Sequence, residues 1–227
     1  MSAPVGPAGT ICKGDDDAEG ATPPVGRAGV AAGWSRASLV FDEGDATVEH
    51  LAVVASMDFF TRGSTTFQLA TGSFVSGTLR SEEDGVERQM GPGWLLSGGA
   101  TWRVVQPTDG AVPYVLLSLT FGATGTRTFA DPPDSRAPLR GSYVAIDARF
   151  GATVGKTFGD VVSPYAAARV FGGPVFWSEG GETTSGTDRY HVQLAGGVAL
   201  LLDPIDLFVE GAPLGEVGVS GGVGAKF

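Results

Sequence analysis

From residue 28 to the C-terminus, apolar residues alternate with polar or small ones almost without interruption. A strand sends successive side chains to opposite faces, so a period of two marks β-structure with two unlike faces. No segment carries the 3.6-residue period of a helix. Ten segments read as strands, over about 28–41, 46–60, 64–79, 92–105, 111–128, 140–158, 161–177, 189–202, 205–212 and 216–227. In the sixth, Val144, Ile146, Ala148, Phe150, Ala152 and Val154 share one side, and Tyr143, Ala145, Asp147, Arg149, Gly151 and Thr153 share the other. In the fifth, Val115, Leu117, Leu119 and Phe121 oppose Ser118, Thr120, Gly122 and Thr124.

Three observations bear on which face meets solvent. Lys occurs only at positions 13, 156 and 226, and charged residues make up 18% of the chain. A water-soluble sheet covers its wet faces with charges, and these are too few. The connections also take turns in length. Those at 61–63, 106–110, 159–160 and 203–204 are short, and those at 80–90, 130–139 and 178–188 are long. A barrel that crosses a membrane has short turns on one side and long loops on the other. Finally, aromatics gather at strand ends. Phe59, Phe60, Phe67, Tyr114, Phe158, Tyr165 and Phe227 mark the short-turn side, while Phe41, Trp94, Phe129, Tyr143, Phe176, Trp177 and Tyr190 mark the other. Two belts of this kind suit two membrane–water interfaces. Lipid offers no hydrogen bonds, so a sheet within it must close on itself. The expected fold is all-β, a closed antiparallel up-and-down transmembrane barrel of about ten strands, with eight as the alternative.

The ending, EVGVSGGVGAKF, places Val217, Val219, Gly221, Val223, Ala225 and Phe227 on one face. Within it, Ser220, Gly222, Ala225 and Phe227 resemble the C-terminal assembly signal of bacterial outer-membrane β-barrels. Ala225 departs from the pattern, which usually has a larger side chain there. Over residues 28–227 the architecture is similar to the small barrels of the opacity-protein type. The resemblance implies a bacterial outer membrane, periplasmic termini, contact with membrane lipid and lipopolysaccharide, and insertion by the barrel-assembly machinery.

Residues 1–27, rich in Pro, Gly, Ala and Asp and without a period, read as a disordered tail preceding the barrel. Asp15, Asp16 and Asp17 lack the ligand spacing of a calcium loop. Cys12 is the lone cysteine, so no internal disulfide forms. No apolar run is long enough for a spanning helix, and no charged-then-apolar secretion segment is legible at the start. A net charge of −10, with no basic stripe, excludes nucleic acid as a partner.

By phase, Arg36, Asp58, Arg103, Asp147, Arg149, Arg169, Glu210 and Lys226 point inward. Buried charges must be paired or hydrated. They read as lumen ion pairs that largely fill the interior, with charges along a narrow water path as the sharper alternative. His50 and His191 also phase inward, and Asp188 precedes His191 by three residues, but no spacing matches a nucleophile–base set. The long connections are acidic, with Glu82, Glu83, Asp84 and Glu87 in one and Glu179, Glu182 and Asp188 in another. They read as solvated loops. The expected role is structural, adhesive or that of a narrow channel, without enzymatic activity, cofactor or metal. The competing readings are a soluble lipocalin-like barrel that binds an apolar ligand and, less favoured, an outer-membrane hydrolase.

Overall fold

The computed structural model describes residues 25–42, 44–61, 63–105, 112–131 and 138–227. Thirteen antiparallel strands run in chain order. They are β1 (Gly26–Phe41), β2 (Gly44–Phe60), β3 (Thr65–Ser81), β4 (Glu87–Met90), β5 (Gly93–Val105), β6 (Tyr114–Ala130) and β7 (Leu139–Gly155). They continue as β8 (Val162–Gly172), β9 (Pro174–Glu179), β10 (Glu182–Asp188), β11 (Val192–Leu202), β12 (Ile205–Leu214) and β13 (Val217–Lys226).

Three pairs of these are single strands with a break. β4 and β5 keep one register against β3 across Gly91–Pro92, and β8 and β9 keep one register against β7 across Gly173. Proline cannot donate to a ladder, and Pro92 and Pro174 sit at these breaks. β10 and β11 are separated by Arg189–His191. Thirteen elements less three breaks gives ten strands, in agreement with the alternation. β13 pairs with β1 from Arg27↔Lys226 to Arg36↔Val217 and closes the ring.

The ring narrows along its axis. The last hairpin, β12–β13, turns at Gly215–Glu216, well below the tips of its neighbours. Gly215 holds φ 85°, and a Cβ there would collide with the Val192 carbonyl, so the turn is seated tightly under the end of β11. Above that turn β10 pairs directly with β1, from Leu39↔Asp188 to Phe41↔Gly186. The barrel therefore has ten strands at the end that carries both Gly26 and Phe227, and eight at the other. Barrel diameter grows with strand number, so the eight-stranded end, the collar, is the narrower.

Side-chain polarity changes at the same height. In the wide part the outer face is apolar, Thr71 and Ser73 on β3 apart: Phe59 to Leu51 on β2, Phe67 to Val75 on β3, Val115 to Phe121 on β6, Val154 to Val144 on β7 and Leu202 to Val192 on β11. On β2, β3, β7 and β11 these runs match the roughly 9–11 residues with which a tilted strand crosses a bilayer, and on β6 the run is shorter. In the collar the outer face is polar, with Arg36, Thr47, Glu49, Thr78, Arg80, Arg127, Arg140, Ser142 and Thr183. Its inside is apolar and packed, with Leu39, Phe41, Val48, Phe74, Leu79, Tyr143 and Val175 in one buried cluster.

The connections differ from expectation at the collar. The segment 178–188 is no loop: β9 and β10 continue through it as a hairpin turning at Gly180–Gly181. The connection expected over 80–90 shrinks to 82–86. Polar Ser, Thr and Glu residues here face water from the outside of a strand, and composition alone reads such residues as loop.

Candidate functional site

The wide part of the lumen is organised around three arginines. Arg27, at the start of β1, is buried and lies between two carboxylates. Its Nε and Nη2 donate to Asp206 at 2.7 and 2.5 Å, and its Nη1 donates to Asp58 at 3.0 Å. Gln68 Nε2 completes Asp58 at 2.6 Å. To reach Asp206 on β12, the Arg27 side chain crosses the inner face of β13 at Gly224, where a Cβ would strike the guanidinium. The glycines on the inner face of the last strand are thus room for a neighbour's side chain. Phe208 occupies the space over Gly222 in the same way.

At mid-height Arg149 Nη2 donates to Glu216 at 2.6 Å and to Asp147 at 3.3 Å, and its Nη1 to Gln193 Oε1 at 3.0 Å. Its guanidinium lies 4.6 Å from the Phe171 ring centroid. Arg169 pairs bidentately with Glu210, both contacts 2.7 Å, and shares Gln193 Oε1 at 3.0 Å. Gln193 Nε2 in turn donates to the Glu216 carbonyl at 2.7 Å. Charge-assisted bonds of this kind are short and strong, and each carboxylate here has its cation. Between the two clusters lies a cavity of about 140 Å³ lined by Ser118, Thr120, Arg169 and Glu210 among others. Tyr114, Leu116, Tyr165, Ala199 and Phe208 pack beside it toward the wide end.

Above the mid-height cluster the packed interior of the collar fills the lumen, and a third ionic cluster caps it. Arg88 Nε and Nη2 meet Glu179 at 2.8 and 2.7 Å, and Nη2 meets Asp84 at 2.7 Å. The guanidinium stacks 4.5 Å from the Trp177 ring centroid. β4 and β9 lie on different sides of the collar, so this contact ties one wall to the other. The Arg88 hydrogen bond holds the Asp84 carboxyl below the usual carboxylate range. Burial opposes the charge on Arg88, but its bonds to Glu179 and Asp84 outweigh that and raise its pKa.

Asp58, Asp147, Arg149, Arg169 and Glu210 all lie on the inner face within these clusters. Arg103 is on the inner face of β5, opposite Leu116 near the wide end. Lys226 Nζ lies 3.5 Å from exposed Asp203 at the wide mouth. Arg36 is a correction: it is on the outer face and pairs with Glu49 at 3.5 Å, both exposed. It shares its parity with the outward Val30 and Trp34, and it reads as inward only if Leu39 and Phe41, which line the interior of the collar, are taken as the outer row. His191 is a second correction, because the break before β11 shifts the phase and leaves it exposed, with Nδ1 3.2 Å from the Phe171 carbonyl oxygen. His50 is buried beneath the packed interior of the collar, against Phe74. Its ring edge faces Ser35 Oγ at 3.2 and 3.4 Å from the two nitrogens, which singles out neither as a base. The tail boundary shifts as well: β1 begins at Gly26 and Arg27 belongs to the barrel, while residues 1–24 lie outside the described residues. Of the proposed assembly signal, Ser220 and Gly222 are on the inner face of β13, and Ala225 and Phe227 on the outer. The Phe227 amide donates to the Gly26 carbonyl at 3.1 Å, which ties the chain end into the ring.

Of the aromatics read as belts, Phe59, Phe67, Trp94, Phe129, Phe158, Phe176, Tyr190 and Phe227 are exposed, whereas Phe41, Tyr114, Tyr143 and Tyr165 are buried in the lumen. The alternation left Arg27, Asp206, Gln193 and Glu216 out of the site. Asp206 and Glu210 share one row of β12, and Gln193 shares a row with Ala195, so the phase contained the signal for both.

No family model and no curated protein matches this chain. Solved structures do. The outer-membrane protease OmpT from Escherichia coli superposes with a TM-score of 0.56 at 8% identity, over 89% of this chain and 96% of that one. The translocator domain of the autotransporter NalP from Neisseria meningitidis superposes with a TM-score of 0.53 at 13% identity, over 93% and 90%. At such identity the likeness shows the fold and carries no activity with it. The fold of this chain is that of the outer-membrane β-barrels.

Proposed function

We propose that this protein is an outer-membrane anchor with a blocked lumen, of structural or adhesive role, that holds a rigid eight-stranded collar above the bilayer. The observation that carries this reading is the exchange of polarity between the two faces. An apolar outer band as tall as a membrane stops at the height where the interior becomes apolar and packed. A collar with a dry core and a wet exterior is built for water, and a barrel wall with a greasy exterior for lipid. The collar then projects from the cell, and the termini with the turns at Gly159–Asp160 and Asp203–Pro204 lie in the periplasm. Neither histidine has the base geometry for hydrolysis, and the packed collar leaves the mid-height network no route for a polymer substrate, so a non-enzymatic role is the better reading. Membrane-impermeant maleimide tests the placement on intact cells, with Cys12 replaced by serine. A cysteine at Thr183 should label and one at Gly159 should not. The reverse pattern would invert the topology, and labelling of Leu117→Cys to the same extent as Thr183→Cys would remove the membrane band.

A further inference from the structure

We infer a binding site for a short linear amine in the lumen, at the inner end of the cavity that lies beneath the collar. Near the wide rim that cavity is lined by Thr66 and Gln68, and at its inner end by Ser35, His50, Asp147 and Glu216. Asp58 and His50, which line it at opposite ends, are eight residues apart on β2. At the usual rise and tilt of a barrel strand the cavity therefore extends about 20 Å along the axis. A volume of about 140 Å³ over such a length suits an unbranched chain. Between the ends, the β5–β6 wall of the cavity carries hydroxyls and no charge, from Ser97, Thr101, Ser118 and Thr120. Tyr114, Tyr165 and Phe208 pack beside it, and the dry interior of the collar closes its inner end, so the way in is from the wide mouth.

The charges at the two ends differ. At the wide end Arg27 and Arg103 stand with Asp58 and Asp206, two against two, and Arg169 is matched by Glu210. At the inner end, among the described residues, one guanidinium, that of Arg149, meets both Glu216 and Asp147. Asp188, on β10 just above, adds a third carboxylate. It is 4% exposed and makes no hydrogen bond or ion pair with another described side chain. Burial pushes its carboxyl up, and Glu216 and Asp147 push it further. A buried surplus of negative charge calls for a cation. No three carboxylate or imidazole groups among the described residues converge as metal ligands do. The acceptors suit an ammonium instead: Glu216, the His50 ring and Ser35 Oγ can take its three N–H groups. Further N–H groups along the chain meet the hydroxyl wall. The inference is independent of the membrane placement proposed above, because the cavity is the same in detergent.

The test uses the full chain refolded in neutral detergent at mildly alkaline pH, with folding checked by heat-dependent migration. It is titrated with 1,5-diaminopentane and with 1,5-pentanediol, which has the same length and no charge. The diamine should bind at least about tenfold tighter than the diol, the worth of one charge-assisted hydrogen bond. Asp188→Asn should weaken the diamine about tenfold and leave the diol unchanged. Ser118→Leu, which narrows the cavity between mouth and inner end without touching a carboxylate, should abolish diamine binding, and Arg36→Gln on the outer face should leave it. Equal binding of diamine and diol, or unchanged diamine affinity in Asp188→Asn or in a folded Ser118→Leu variant, overturns the site. Asp188→Asn decides by itself if Ser118→Leu does not fold. Displacement of the diamine by equimolar magnesium overturns the amine as the ligand.

Discussion

The Nη2 of Arg149, on β7, lies 2.6 Å from Oε2 of Glu216, at the tip of the last hairpin. That contact crosses the lumen from one wall to the point where the ring changes from ten strands to eight. It explains why so short a hairpin can stop inside the barrel: the buried carboxylate at its tip is met by a cation, and Gln193 also binds its backbone at 2.7 Å. The charges of the lumen are therefore part of the closure of the barrel wall.

Removing one partner of a buried pair leaves a charge without compensation, at a cost of about 3–5 kcal/mol. Arg149→Met takes the cation from two carboxylates, Glu216 and Asp147, whereas Arg169→Met takes it from Glu210 alone. Urea unfolding in micelles should therefore rank Arg149→Met as the more destabilising. Adding Glu216→Leu to Arg149→Met should recover part of the loss. Equal effects of the two arginine variants would mean that the hairpin tip does not depend on Arg149.

Gly224→Ala tests the wide-end cluster. The new methyl group lies where the Arg27 guanidinium crosses β13, so Arg27 must leave Asp206, which is fully buried. A loss of several kcal/mol is expected from a single added carbon, against little change for Ala225→Val on the outer face of the same strand. Similar stability of the two variants would show that Arg27 has another way to reach Asp206.

Orientation is tested on β7. Ile146 is exposed on the apolar outer band, and Arg140, on the same face, lies above it. Phe150→Arg, at the middle of that band, should cost about 2–4 kcal/mol in a bilayer, the figure for a cation at the midplane, and much less in water-filled surroundings. Thr183→Arg, on the collar, should cost almost nothing. If both substitutions are tolerated alike, the outer band is not in lipid.

Acid should loosen the top of the collar. The Asp84 carboxyl is held below its usual range, so its contribution is fully present at neutral pH and is lost as pH falls below about 4. The protection of the amides of Val86 to Met90, taken relative to the intrinsic exchange rate at each pH, should fall over that range in the wild type. Asp84→Asn should show the faster exchange at neutral pH and no further acid step. A wild-type profile flat to low pH would mean that Glu179 alone holds Arg88.

Much of this was legible in the sequence. The row Val144–Val154 and the opposite Asp147 and Arg149 follow from alternation alone, because in the wide part polarity and face coincide. Alternation misleads where that coincidence ends. On β1, Val30 and Trp34 face outward, but so does Arg36, while Leu39 and Phe41 turn in. The apolar row changes parity without any break in the strand. On β3 a bulge between Phe74 and Ser76 moves Leu79 from the row of Leu69 to the inside. A change of parity is what a strand shows where it leaves lipid for water, and Ala37–Leu39–Phe41 held that information. The pairing of β10 with β1 had no such signal, since it depends on where a distant hairpin stops.

Planar-bilayer recording of the wild-type barrel tests the blocked lumen most directly. Three ionic clusters and the apolar packing of the collar lie in series along the axis. A blocked lumen gives no steady conductance, with brief, small openings at most. Steady currents of the size of a general porin, or free passage of sugars in the same preparation, would contradict it.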